Sequence, residues 1–327
     1  MAYTRDNVLT IEDFAKLPTS TVWAGVDAAY NAGTNPFRAA GVLTSANSIA
    51  RSLNAGEGIR TEVQAWNDLP YVESNVSNSD PEDHATPLKT DSKLWQAVRT
   101  HRNMGVSAMN LATDFTALEA LNYLQSRVAN YKNTDEVAHL FAVLNGLVAG
   151  DATAKKFTYQ MTGEPDLAEL LKGVQATKLD NDGIVNTIGM NSANHLKFQL
   201  ANLIDTVPAS EANVSFSTIG GGRFRIVRDE RFGANLVGMG AGLFHFATAP
   251  QARKSVEVES DASAGNGSGQ ETIWFRWKSI VHPMGFDYTG NFVAEGGPTF
   301  AELNSAAAYK AATDVKKIPL VVFKPAA

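Results

Sequence analysis

The residues best suited to chemistry lie in a polar stretch in the first third of the chain, where Asp80, Glu82, Asp83 and His84 follow one another closely. Carboxylate oxygens and an imidazole at this spacing are possible ligands for a divalent cation. The surrounding residues are rich in Asn, Ser and Pro, which is typical of a solvated loop tip. We therefore expect a loop here and predict no metal site.

Two glycine-rich stretches could in principle bind a phosphate group. Residues 265–269 read GNGSG, and residues 220–222 are three consecutive glycines. A phosphate cradle of this kind needs a helix directly after the glycines, to present its N-terminal N–H groups. Strand-like sequence follows both stretches, so we expect a hairpin loop and a turn.

The other chemically capable residues show no catalytic pattern. The six histidines have no HExxH spacing, no serine lies in GxSxG, and the chain has no cysteine. His139 lies beside core positions of a predicted helix and His282 precedes Pro283 at a strand end, so both are expected to be structural. Trp274 and Trp277 are expected to pack in the core or against another subunit. We predict no catalytic residue, no cofactor and no metal.

Composition narrows the class of protein. The chain has 327 residues, of which 44% are hydrophobic, so it can bury a sizeable core. A formal net charge of −6 and the lack of a Lys/Arg stripe argue against tight nucleic-acid binding. No apolar run is long enough to span a membrane, and the N-terminus lacks the apolar core of a signal peptide. We expect a protein that stays soluble in the cytoplasm where it is made.

The element on which the rest depends is a very long helix, predicted from Thr113 to Ala149. Apolar residues recur there at three- and four-residue steps and form one stripe. At about 1.5 Å per residue the helix would be roughly 50 Å long. The segment Asn133–Asp135 could instead cap a second helix, although the continuous helix is favoured.

Before this helix the sequence predicts a long hairpin and an arm. The alternating residues Ile59–Ala65 and the run Lys93–Ser107 are strand-like and bracket a polar tip. A two-stranded hairpin is marginal alone and needs a surface to lie on. Residues 1–58 form an arm with too many apolar side chains for a disordered tail. We expect the arm to lie on another surface, possibly that of a neighbouring subunit.

After the long helix, helices and strands alternate as in a mixed sheet covered by helices. The predicted helices are residues 164–174, 192–204 and 300–311. The predicted strands are residues 184–190, 224–227, 236–246, 256–260, 272–282 and 318–323. Both faces of the strand Thr272–His282 carry large apolar side chains.

Four short segments carry a pattern that extends over most of the chain. They are Trp66–Leu69 (WNDL), Leu144–Ala149 (LNGLVA), Arg225–Glu230 (RIVRDE) with Val237–Ala241 (VGMGA), and Ser279–Phe286 (SIVHPMGF). In this order, with the hairpin and the long helix, the chain from about Ile59 to Phe323 resembles the major capsid proteins of tailed bacteriophages, which have the Hong-Kong-97-type fold.

The resemblance implies an α+β capsid fold with defined parts. These are an N-terminal arm (residues 1–58), an extended β-hairpin or E-loop (59–110), a peripheral domain with a spine helix (111–180), an axial domain with a mixed sheet (181–250), long β strands of the peripheral domain (251–290), and a C-terminal helix and strand whose domain is open (291–327).

The resemblance also implies a coat protein without enzymatic activity. Its subunits would form pentamers and hexamers of an icosahedral virion shell, assembled in the host cytoplasm around double-stranded DNA held by weak contacts. Portal and scaffolding proteins, and possibly a decoration protein, would be partners. No long charged helix precedes the arm, so we expect separate scaffolding and no removal of a leader. An encapsulin-like nanocompartment shell and, more remotely, an α/β ligand-binding protein or enzyme stay open as alternatives.

Contacts between subunits are expected at large aromatic and basic residues of the arm, the hairpin and the strand after it. The candidates are Trp23, Trp66, Tyr71, Lys89, Trp95, Arg99 and Arg102. Lys89 and Lys93 also resemble the lysines that form covalent cross-links between subunits in some members of the family. No matching partner segment is recognisable, so ordinary surface lysines are the favoured interpretation.

Overall fold

The computed structural model describes residues 19–32, 35–54, 58–66, 72–88, 92–109, 120–151, 155–207 and 216–326. Its helices are α1 (Thr19–Ala32), α2 (Pro36–Ala39), α3 (Asn47–Asn54), α4 (Ala120–Gly150), α5 (Leu167–Lys178), α6 (Ser192–Leu200) and α7 (Phe300–Leu303). Its strands are β1 (Leu43–Ser45), β2 (Arg60–Trp66), β3 (Ser92–Val98), β4 (Thr100–Met109), β5 (Thr158–Gln160), β6 (Thr187–Met190), β7 (Ile204–Val207), β8 (Phe216–Ile219), β9 (Phe224–Arg228), β10 (Leu236–Met239), β11 (Phe244–Pro250), β12 (Val256–Asp261), β13 (Gln270–Pro283), β14 (Phe286–Tyr288), β15 (Tyr309–Ala311) and β16 (Leu320–Lys324).

Helix α4 is the predicted spine helix, and its continuity is confirmed. Its 31 residues pass through Asn133–Asp135 without a break, which gives a rod of about 46 Å. Val128, Leu140 and Leu144 are buried on one stripe of the helix, separated by multiples of four residues. The start predicted at Thr113 lies outside the described residues.

One sheet is built around the long strand β13. One edge of β13 pairs with β4, and the other edge pairs first with β12 and then with β11, all antiparallel. Parallel pairing of β1 with β11 completes the five strands. Both faces of β13 carry large apolar side chains and both are covered: Phe275 packs with α1 and Ile280 packs with α3.

A second, mixed sheet has seven strands in the order β5-β16-β10-β6-β9-β8-β7. The β5–β16 and β6–β9 pairs are parallel and the others are antiparallel. Residues of α5 and α6, such as Val174 and Phe198, pack with one hydrophobic cluster of this sheet. A further cluster joins the sheet to α4 and to the five-stranded sheet, so the two sheets share one core.

The described part of the N-terminal arm lies on its own chain. Val22, Trp23 and Val26 of α1 are buried with Val128 of α4 and Phe275 of β13. The surface that covers these apolar residues is therefore the spine helix and β13 of the same subunit. The arm's earlier residues lie outside the described ranges.

Two predictions about secondary structure are wrong. The single strand expected for residues 236–246 is two strands, β10 and β11, which belong to different sheets. The chain turns here: the N–H of Leu243 donates to the carbonyl oxygen of Gly240, and Gly242 has a φ of +68°. Gly240 also lies so close to the carbonyl oxygen of Ile184 that a Cβ would overlap it. The helix expected for residues 300–311 stops at Leu303, and β15 pairs with β14 instead.

Other predicted boundaries move by a few residues. Helix α5 begins at Leu167 with Asp166 as its N-cap, so Pro165 precedes the helix rather than lying in its first turn. Helix α6 ends at Leu200, and the following residues enter β7. The strand-like run from Lys93 divides into β3 and β4.

Candidate assembly surfaces

The hairpin β2–β3 is fixed to the body of the subunit at its base. Arg60 Nη2 donates to the carbonyl oxygen of Gly290 at 2.7 Å, and the backbone N–H of Gln96 donates to Asp287 Oδ1 at 3.0 Å. Lys93 Nζ donates to the carbonyl oxygen of Ala312. Val63 packs against α3 from one face of the hairpin. These contacts fix the direction in which the hairpin leaves the body.

Beyond its base the hairpin loses contact with its own chain. Every described residue of the tip, 72–88, is exposed. Val76 is 88% exposed, and Val72, Leu88 and Leu94 are also exposed apolar side chains. Apolar side chains left in water at the end of a fixed support are typical of a surface that a partner covers.

The acidic residues of the tip form a turn, as the sequence indicated. The backbone N–H of Asp80 donates to Asn78 Oδ1, and that of Glu82 donates to Asp80 Oδ1, both at 3.0 Å. Asn78 Nδ2 also donates to Asp83 Oδ2. Within the described ranges no group of three or more His, Cys, Asp or Glu residues could hold a metal ion.

A buried polar cluster joins the arm to the spine helix. Glu136 of α4 accepts from Asn35 Nδ2 and Arg38 Nε, both at 2.9 Å, and from the Tyr30 hydroxyl. Arg38 also pairs with the second carboxylate oxygen. Burial raises the pKa of Glu136, whereas the guanidinium that contacts it acts in the opposite direction, and we infer an ion pair.

One turn earlier on the helix, Lys132 makes a second link to the arm. Its Nζ donates to Asp27 Oδ1 at 3.0 Å and lies 4.7 Å from the Trp23 ring centroid and 4.5 Å from that of Tyr30. Burial lowers the pKa of Lys132, and Asp27 opposes that shift. Two charged residues spaced i, i+4 on α4 thus hold the described arm on its own subunit.

The predicted contact residues fall into different environments. Trp23 is 3% exposed within its own chain. Trp95 lies on the hairpin base with its ring centroid 6.1 Å from that of His282. Arg99 Nη2 donates to the carbonyl oxygen of Gly58, and Arg102 lies 4.1 Å from the Phe300 ring centroid.

The remaining contact candidates are less fully described. Trp66 ends β2, and Tyr71 and Lys89 lie outside the described residues. For all seven candidates, contact with a second subunit stays a prediction. Trp95 lies on β3 of the hairpin, Arg99 lies between β3 and β4, and Arg102 lies on β4. Trp23 belongs to the arm and packs in the cluster on α4.

Other motifs of the sequence are structural, as expected. Residues 265–269 form the β12–β13 hairpin loop and residues 220–222 form the β8–β9 turn, with positive φ at all three of these consecutive glycines. Burial lowers the pKa of both His139 and His282 to about 3, with smaller contributions from Arg102 and His245 respectively. Both imidazoles are therefore neutral at physiological pH.

Sequence reasoning missed the cluster around Glu136. The signal was present, because Val128, Lys132, Glu136 and Leu140 lie at four-residue steps on the buried stripe of the helix. An acid and a base within an apolar stripe indicate a buried charge that needs partners. The partners are separated from α4 by about a hundred residues, so their identity could not be read from local spacing.

No protein-family model matches the chain. The major capsid protein of Bacillus phage SPP1 is 27% identical over 286 residues, which cover 85% of this chain and 86% of that protein. A solved chain from Microbacterium phage Oxtober96 has a TM-score of 0.50 at 13% identity, covering 90% of this chain and 91% of that one. The Cyanophage Pam1 capsid gives a TM-score of 0.49 at 11% identity, over 88% and 91%.

The spine helix, the mixed sheet and the projecting hairpin define a viral shell subunit with the Hong-Kong-97-type α+β fold. The chain is a major capsid protein of the tailed-bacteriophage type, a structural component of the virion and not an enzyme. The encapsulin-like shell and the α/β enzyme are not favoured. No helix in the described ranges is long and apolar enough to cross a membrane.

Proposed function

We propose that the chain assembles through pentamers and hexamers into an icosahedral shell that encloses packaged double-stranded DNA. The observation that carries this proposal is the hairpin, which is fixed at its base by Arg60 and Gln96 and exposed along the whole described tip. An element with this geometry gains its stabilising contacts from another subunit.

We also propose a division of labour between the two sheets. The seven-stranded sheet would form the axial domain, built mainly from residues 181–250 and extended by β5 and β16. The spine helix and the β13 sheet would form the peripheral domain. In support, the exposed apolar side chains Leu196 and Leu200 lie on α6 at the surface of the seven-stranded sheet, where subunits of one capsomer would meet.

Assembly is proposed to take place in the host cytoplasm with other phage proteins. Scaffolding and portal proteins would guide it, and a decoration protein could bind the finished shell. The net charge of −6 fits a wall that holds the genome by weak, non-specific contacts.

Electron microscopy and size-exclusion chromatography test the proposal. The full chain, expressed alone and together with its scaffolding protein, is expected to yield closed shells or rings of five or six subunits. A stable monomer under both conditions at physiological salt would contradict the proposal.

A hairpin-shortened variant provides the matched test. Replacing residues 67–91 by Asn-Gly joins the paired residues Trp66 and Ser92 through a two-residue turn. This variant is expected to fold as a monomer and to form no shells. Ser77→Ala, on the exposed tip, is the control and should assemble normally.

A further inference from the structure

The loop between β12 and β13 contains an asparagine that is followed directly by a glycine. These residues, Asn266 and Gly267, are both exposed. Within the described ranges no group forms a hydrogen bond with the Asn266 side-chain amide. The Cγ of an asparagine can form a five-membered ring with the backbone nitrogen of the next residue, and a glycine there leaves the approach free of a side chain. Asparagine is for this reason one of the thermolabile residues of proteins.

The backbone of this loop holds the attacking nitrogen only weakly. Asn266 has a φ of +57° and Gly267 has a φ of +88°, in a tight turn. The N–H of Gly267 donates to the carbonyl oxygen of Ser263, and the N–H of Ser268 donates to that of Gly265, both at 3.4 Å. Backbone hydrogen bonds are usually about 2.7–3.2 Å long, so little stabilisation is lost when the Gly267 nitrogen moves.

The chain's other Asn-Gly pair is held in a different way. Asn145 and Gly146 lie inside α4, where the N–H of Gly146 belongs to the helical hydrogen-bond ladder. Gly146 is buried, and a Cβ on it would overlap the carbonyl oxygen of Leu303. The Gly146 nitrogen cannot move onto the Asn145 side chain without breaking the helix and this packing. The exposed Asn145 side chain is therefore protected by its backbone, whereas Asn266 has no such protection.

We propose that Asn266 is a site of spontaneous deamidation, at which the native protein converts a side-chain amide to a carboxylate. The Gly267 nitrogen forms a bond to Cγ of Asn266, and the bond from Cγ to Nδ2 breaks. Nδ2 leaves as ammonia and takes the proton that the Gly267 nitrogen has lost. Water then opens the ring at one of its two carbonyl groups and gives aspartate or isoaspartate. Water is the only co-reactant, and no oxidation or reduction takes place.

The reaction adds negative charge to a part of the surface that is already acidic. Glu259 and Asp261 are exposed at the end of β12, next to the loop. A carboxylate at residue 266 changes the formal net charge of the subunit from −6 to −7. Isoaspartate also lengthens the backbone of the loop by one carbon atom. Because each subunit reacts independently, an assembly of many copies becomes a mixture of charge forms as it ages. This inference goes beyond the proposed shell function and holds for the subunit by itself.

Peptide mapping of the full-length protein by mass spectrometry tests the proposal. Trypsin releases residues 255–276, in which Asn266 is the only asparagine, and residues 133–155, in which fragmentation distinguishes Asn145 from Asn133. After incubation of the native protein in mildly alkaline buffer, Asn266 should show the mass gain of an amide-to-acid conversion at least about tenfold faster than Asn145. In guanidinium chloride the two rates should lie within about threefold of each other, because neither backbone is then held by native structure.

Two substitutions separate ring closure at Asn266 from other sources of acid. Asn266→Gln keeps an exposed amide but lengthens the side chain, so the five-membered ring cannot form and the rate at residue 266 should fall at least about tenfold. Asn266→Asp supplies the reference for the aspartate product and should melt at the wild-type temperature, because the side chain is exposed. Equal rates at Asn266 and Asn145 in the native protein would overturn the inference, as would an Asn266→Gln variant that reacts as fast as the wild type. Either result leaves the shell function standing, since electron microscopy tests that function separately.

Discussion

Replacing Glu136 by Gln removes the charge at the centre of the cluster that holds the arm on the spine helix. Removal of one partner from a buried ion pair costs about 3–5 kcal/mol. The Arg38 side chain keeps 21% of its surface in water, which lowers the penalty for leaving it unpaired. The Gln carbonyl oxygen can still accept from Tyr30 or Asn35. We therefore expect a loss of about 3 kcal/mol in the free energy of unfolding.

Urea unfolding of the hairpin-shortened monomer, followed by tryptophan fluorescence, measures this loss without interference from assembly. Trp23 lies in the same buried cluster as Lys132 and reports on release of the arm. A double-mutant cycle with Glu136→Met and Arg38→Met isolates the pair. The double variant should lose about 2 kcal/mol less than the sum of the single variants.

Two results would refute the reasoning about Glu136. Additivity within about 0.5 kcal/mol would show that the two side chains do not interact energetically. A loss below about 1 kcal/mol for Glu136→Gln would show that the carboxylate is hydrated in solution and that the arm is held by apolar contacts alone.

Three further predictions concern the core. Phe141→Ala should cost about 3–5 kcal/mol in urea unfolding, because the Phe141 ring of α4 packs against Phe37 of α2 and against Phe232, which follows β9. Phe141→Leu should cost less than half as much. The free energy of unfolding should fall as pH falls from about 6.5 to about 3. In this range the unfolded chain binds a proton at each of His139 and His282, whereas in the folded chain the pKa of both is about 3 and they stay neutral. The slope is about 1.4 kcal/mol per pH unit for each histidine, and replacing both by Leu should remove this contribution. Gly146→Ala should lower the melting temperature, because its Cβ would overlap a carbonyl oxygen of α7, whereas Asn145→Ala on the exposed side should raise it slightly.

Local periodicity was sufficient to predict the spine helix and the hairpin. In α4 the buried stripe from Val128 through Leu140 to Leu144 extends over about four turns, and in β2 the alternation is strict. The error at residues 300–311 arose because an alanine-rich stretch has high helix propensity. Pairing of β15 with β14 and burial of Tyr309 override that propensity.

Long-range partners were beyond the reach of the sequence. The run from Leu236 to Phe246 looks like one strand because its apolar residues continue across Gly240 and Gly242. The turn is understood only from the tertiary structure, in which β10 belongs to the seven-stranded sheet, β11 belongs to the five-stranded sheet, and Gly240 lies against the backbone of Ile184. The sequence alone also does not say which strands lie at the edge of a sheet, so the pairing of β4 with β13 could not be predicted from it.

The position of β16 bears on how the protein is made. This strand lies between β5 and β10 and joins them, although it comes last in sequence among the described strands. In a chain that stops before β16, β10 has an open edge and β5 has lost the strand with which it pairs. A prematurely terminated product therefore lacks the strand that unites the sheet. We expect such products, with an unpaired strand edge, to aggregate or to be degraded rather than to assemble.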